Sequence, residues 1–317
     1  MSGVEHTETI VETHIEAHSE GAFDAGEVII GHVANSSAEH PILHLPTFLG
    51  IDFSITKHVL MLWIVAVLVF TAITWTVRKY LKQENPVPSG FMTVLESIVQ
   101  FVRDSIVLPN VGKKHLNTWT PLILTFFFFI FTANAIGLVP IFDVIGAINR
   151  FILGGSAQDH SFVNLLLHGS TTATGNYNVT AGLATITFFA IILAGSKAHG
   201  FINHWKNLAP SGLAWPVYII LIPIEIIGMF VRPFALTMRL AANMTGGHIA
   251  ILAILSFVFI FTGLFNSVVA GIGVGALVSI PLAVAISGLE IIVIIVQAYV
   301  FTMLTAVFIG MAINVHH

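Results

Sequence analysis

Glu225, Arg232 and Arg239 stand seven residues apart in a stretch otherwise apolar enough for a lipid bilayer, and Asn243 follows four residues later. Seven residues of an α-helix turn through about 700°, roughly 20° short of two full turns. The three charges therefore share one helix face, which Asn243 extends. An arginine at the bilayer centre costs at least about 2.5–3.5 kcal/mol on insertion scales. A chain that keeps two of them needs a partner or a task for each. One reading is a buried ion pair that only fixes helix packing. The other, the default for ionisable groups at membrane depth, is an ion or proton path. Glu290 and Gln297 repeat the seven-residue spacing further on and so share a face of their own. His248 lies nine residues past Arg239, about 180° around a continuous helix, and leaves that face unless Gly246-Gly247 deforms the turn. A histidine on its own is most simply a packing residue. Facing a membrane-buried glutamate it can pass protons near neutral pH, where imidazole titrates.

The elements that must position these groups follow from composition. Of 317 residues, 56% are hydrophobic and 9% charged. The mean hydropathy is +0.92. That is an all-α integral membrane protein, to which the length priors of soluble domains do not apply. The formal charge of −4 describes no surface, because half of the 16 acids fall within the first 40 residues. Cysteine is absent, which excludes disulfides, thiolate catalysis and cysteine metal sites. No HExxH, Gly-rich phosphate loop or GxSxG occurs, and no basic surface interleaved with aromatics points to nucleic acid. Neither a cofactor nor a metal is expected.

Residues 1–45 form a polar tail with Glu5, Glu8, Glu12, Glu16 and Glu20 among six histidines, too poor in apolar surface to fold alone. No cleavable signal peptide is expected, since the start is acidic and the first apolar run comes late. The membrane domain, 46–317, begins with a span over 59–77, closed by Arg78, Lys79 and Lys82. Asn85-Pro-Val-Pro88 breaks the chain, and 89–108 reads as an amphipathic helix at the interface or under the bundle. A second span covers 119–141 and ends on Asn134-Ala-Ile-Gly-Leu-Val-Pro140; an outer loop fills 143–178 and a third span 179–196.

Eight cations (Arg78, Lys79, Lys82, Arg103, Lys113, Lys114, Lys197, Lys206) fall on one side of this topology, and Lys57 and Arg150 on the other. The positive-inside rule then puts the N-terminus outside and the 197–215 loop in the cytoplasm. From 216 to 313 the chain is almost wholly apolar, broken chiefly at Gly271-Ile-Gly-Val-Gly275. That suggests a helical hairpin with arms of about 55–70 Å, twice the bilayer thickness. Either each arm crosses twice or both are strongly tilted. Tilt keeps the polar stripe near mid-membrane and is the reading preferred here.

The string Arg232-Pro-Phe-Ala-Leu-Thr-Met-Arg239-Leu-Ala-Ala-Asn243-Met resembles the signature of subunit a of the F-type ATP synthase membrane sector. Glu225, the Glu290-to-Gln297 spacing, and Asn134-to-Pro140 ahead of an Asn178-Val-Thr180 span match as well, and the likeness runs from about residue 40 onward. The resemblance implies a non-catalytic stator subunit that provides two offset half-channels for protons. Arg239 resembles the essential arginine facing the ring of c subunits, with Asn243 and Gln297 its polar neighbours. His248 and Glu290 resemble the inlet pair, in the order His then Glu, and Glu225 an outlet residue. Arg232 and Asn134 take supporting roles. The implied partners are the c-ring, b-type peripheral stalk subunits, the rest of the complex and the lipid bilayer. The implied location is the bacterial plasma membrane with a cytoplasmic C-terminus. A self-contained secondary transporter is the alternative, but it calls for internal inverted repeats, and the arginine stripe occurs once.

Overall fold

A hydrocarbon interior offers no water to a backbone N–H or C=O, so apolar runs of spanning length close their own hydrogen bonds as helices. The computed structural model describes residues 25–26, 29–30, 54–82, 88–138, 172–206 and 215–314. Most of the expected polar tail, most of the outer loop and the Pro210 break lie outside those residues. Among the described residues five helical stretches have the length and hydropathy to cross a membrane: His58–Leu81, Leu116–Leu138, Tyr177–His199, Trp215–Leu264 and Val268–Ile313. No strand occurs among them beyond a single bridge residue at Ile55. The all-α membrane class is thus observed.

Helix α1, Lys57–Leu81, carries Arg78 and Lys79 in its last turn, where cations offset the negative end of the helix dipole. Helix α2, Phe91–Phe101, runs into a π-helical segment, Val102–Val107, and then α3, Leu108–Val111. Pro109 has no N–H to give to Ser105, and the helix widens there, with the Leu108 N–H reaching back five residues to the Arg103 carbonyl. Leu95, Val102, Ile106, Val107 and Val111 are buried, so this amphipathic segment packs into the bundle, with Arg103 and Asp104 exposed.

Helix α4, Leu116–Leu138, contributes Ile123, Phe126, Phe127 and Ile130 to the core. Helix α5, Tyr177–His199, begins on Asn176, whose side chain accepts from the Asn178 N–H at 2.8 Å. Gly200, at φ +87°, turns the chain into a short helix α6, Phe201–Lys206, inside the expected cytoplasmic loop. Glycine is required there by the left-handed backbone.

Helix α7, Trp215–Leu264, is 50 residues long and contains Pro223 and Pro233. At 1.5 Å per residue it measures about 75 Å, against a hydrocarbon core of about 30 Å. Its end differs from the break expected at Gly271–Gly275. Asn266 adopts φ 49° and donates to the Gly263 carbonyl, while the Ser267 N–H bonds to the Thr262 carbonyl at 3.1 Å. This is a Schellman-type stop with asparagine in the left-handed position. Ser267 then caps helix α8, Val268–Val274, by accepting from the Ala270 N–H. A π-helical segment, Gly275–Ser279, leads into helix α9, Ile280–Ile313. The glycines lie inside the second arm because they let it approach the first: a Cβ on Gly271 would overlap the Thr262 side chain, and one on Gly275 would press on Val258.

The chain divides into two compact units, one built on Gly246–Leu289 and the other on Asn35–Thr245 with Glu290–His317. In the second, α4, α5, α7 and α9 share a core with the π-helical segment after α2. Phe126 meets Phe301 edge-on at 5.5 Å, and the Thr187 and Thr305 hydroxyls share a hydrogen bond at 3.3 Å.

Candidate functional site

The polar stripe of α7 is a continuous helical feature with two unlike halves. Glu225 and Arg232 are half-buried and paired, with Arg232 Nη2 donating to Glu225 Oε1 at 3.1 Å. The Arg232 guanidinium also lies 5.7 Å from the centre of the Phe308 ring on α9. Seven residues on, Arg239 is exposed, as is Asn243. Arg239 makes no ion pair or hydrogen bond among the described residues. The opposite side of the same turns, Leu236, Leu240, Ala241 and Met244, is buried in the bundle. The helix therefore anchors on its apolar side and presents outward an amide and a guanidinium that is unpaired among the described residues.

A second polar group sits where three elements converge. Asn134, near the end of α4, is fully buried, and Thr174 Oγ1 donates to its Oδ1 at 2.5 Å. Its Nδ2 is buried without a partner among the described residues. Thr174 belongs to a single 3₁₀ turn, Ala173–Gly175, just ahead of α5. Thr245 of α7 holds that turn by donating its hydroxyl to the Gly175 carbonyl at 3.3 Å. On the α4 side Gly137 makes room for it, since a Cβ there would overlap Thr172. Thr172, Thr174, Asn176 and Thr180 are all buried. Along α7, Thr245 stands six residues past Arg239, about 9 Å along the axis. Sequence reasoning named Asn134 but missed these threonines. The run Thr171-Thr172-Ala173-Thr174 beside an Asn N-cap was the available signal.

On α9 the buried residues run Glu290, Ile294, Gln297, Ala298, Phe301, Thr302, Thr305, Ala306 and Ile309, the three-and-four spacing of a packed helix face. Glu290 is 7% exposed and Gln297 6%. Both therefore belong to the inward seam, whereas Arg239 and Asn243 look outward. His248 is partly buried and lies in the unit built on Gly246–Leu289, while Glu290 belongs to the other. Among the described residues no group of three or more His, Asp or Glu could hold a metal ion.

The family model described as ATP synthase A chain matches residues 59–310. A protein named ATP synthase subunit a 2 from Chlorobium luteolum is 39% identical over 97% of this chain and 83% of its own length. ATP synthase subunit a of Pelodictyon phaeoclathratiforme is 36% identical over 95% of this chain and 80% of its own. For ATP synthase subunit a 2 of Prosthecochloris aestuarii the figures are 37%, 95% and 84%.

Proposed function

The chain belongs to the ATP synthase A chain family, the membrane a subunits of F-type ATP synthases, and from that premise we propose how its residues carry protons. The observation that carries the proposal is Arg239: an exposed guanidinium on an otherwise lipid-compatible helix, unpaired among the described residues. No described residue of the chain meets its desolvation, and a carboxylate on the rotating c-ring does. Arginine never deprotonates in such a setting. It holds the passing carboxylate ionised and repels a proton that would cross directly between the two half-channels. Asn243, one turn away, hydrogen-bonds the same visitor.

Protons reach the ring from outside through His248 and Glu290, with the buried amide of Asn134 and its threonines giving water a place to bond in an apolar bundle. They leave toward the cytoplasm past Glu225. Gln297, packed in the α9 seam, holds the second arm's polar face in register. The subunit moves protons and leaves nucleotide chemistry to the rest of the complex. We place its N-terminus outside a bacterial plasma membrane and its C-terminus in the cytoplasm, next to the ring and the b-type stalk.

The test is ATP-driven acidification and passive proton flux in inverted vesicles, with assembly of each variant verified. Arg239→Ala abolishes pumping and admits passive leak, because barrier and deprotonating charge vanish together. Arg239→Lys retains a charge but not the fork or fixed protonation, and also fails to drive synthesis. An assembled Arg239→Ala complex that still couples hydrolysis to pumping would sink the assignment.

A further inference from the structure

Two arginines and one acid share the α7 stripe, and the structure divides them unevenly. Arg232 gives Nη2 to Glu225, while Arg239 has no acid partner among the described residues. A guanidinium has five N–H donors in a rigid plane, so one hydrogen bond does not by itself fix its orientation. Here the Phe308 ring, 5.7 Å away on the other arm, supplies the rest. An aromatic face attracts the cation and takes none of its in-plane donors. The helix is held at the same level, since Met229 is buried and Phe230 stacks on Phe188 of α5 at 5.5 Å. Glu225 is 14 residues from Arg239, about 21 Å along the axis, beyond that residue's reach.

We propose that Arg232 is the positioning residue for the outlet acid: clamped between Glu225 and Phe308, it aims the Glu225 carboxylate at the departing proton. This rests on the reading of Glu225 as the outlet group. It assigns the two arginines separate duties, one to the subunit's own acid and one to the partner's.

The experiment is a double-variant cycle on the assembled complex in vesicles, reading proton-driven ATP synthesis against pH on the cytoplasmic side. Arg232→Gln lowers synthesis about tenfold or more, the rate equivalent of one charge-assisted hydrogen bond, and alters its dependence on cytoplasmic pH. Arg232→Lys restores most of the rate and the pH profile, because an ammonium still reaches the carboxylate. Phe308→Leu gives a smaller loss in the same direction. In a Glu225→Gln background Arg232→Gln adds nothing further, as expected when one residue acts through the other. Additive losses, or a lowered rate with an unmoved pH profile, would mark Arg232 as scaffolding and overturn the proposal. A harmless Glu225→Gln overturns it too, and leaves Arg239 standing if Arg239→Ala still uncouples.

Discussion

Asn134 shows what a single buried amide does in an apolar bundle. Its Oδ1 is taken by Thr174 and its Nδ2 has no protein partner among the described residues. An unmet buried donor costs about 1–3 kcal/mol, so a water molecule bonded there is favoured, which is what a proton path requires. Asn134→Leu removes the amide and strands the Thr174 hydroxyl. We expect a loss of stability of about 1–3 kcal/mol, together with a several-fold slower proton-driven synthesis. Asn134→Asp keeps an acceptor for Thr174 and retains more of both. Thermal unfolding of the purified complex and synthesis rates in vesicles check the pair. Normal synthesis by an assembled Asn134→Leu complex would remove this residue from the path.

The corner between α5 and α6 works at the scale of elements. His204 is buried, and its ring lies so close over Gly195 that a Cβ there would overlap Nδ1. Its neighbour His199 bonds the Ile313 carbonyl at 2.8 Å, tying the end of α9 to the same corner. We expect Gly195→Val to destabilise by about 1–3 kcal/mol through overpacking. Burial, and secondarily the nearby His199, push the His204 pKa below its ordinary value. The folded state thus binds its proton less readily than the unfolded chain. The resulting contribution to stability is fully present above about pH 6.5 and fades as pH falls below it. Melting of the purified protein between mildly acid and neutral pH should show that slope, and His204→Phe should flatten it. An unchanged slope would mean that His204 is not its source.

At the scale of the whole molecule, the exposed Arg239 and Asn243 leave the polar face of α7 waiting for a partner. Both proposed half-paths end on that face, so neither crosses the membrane alone. The purified subunit in liposomes is expected to pass no protons under an imposed potential, and conductance should appear only with the ring or in its uncoupled variants. Sustained flux through the subunit by itself would favour a self-contained transporter.

Composition and the length of its apolar runs determined that this chain is helical and lives in lipid, because a continuous run of about 20 apolar residues in hydrocarbon bonds its own backbone as a helix. The seven-residue spacing likewise determined that Glu225, Arg232 and Arg239 share a stripe, since helix geometry is local. Family membership was also readable, carried by the string from Arg232 to Asn243. What periodicity could not supply was the use of each group on that stripe. That Arg232 is taken by Glu225 and Phe308 while Arg239 has no partner among the described residues depends on which residues of α5 and α9 pack against α7. The Asn134–Thr174 bond joins residues 40 apart in sequence, and the pattern of either segment says nothing of the other. The hairpin break moved from the glycines to Asn266-Ser267 for a related reason. Glycine marks either a turn or a close approach, and only the position of the opposing arm, with Thr262 against Gly271, decides which.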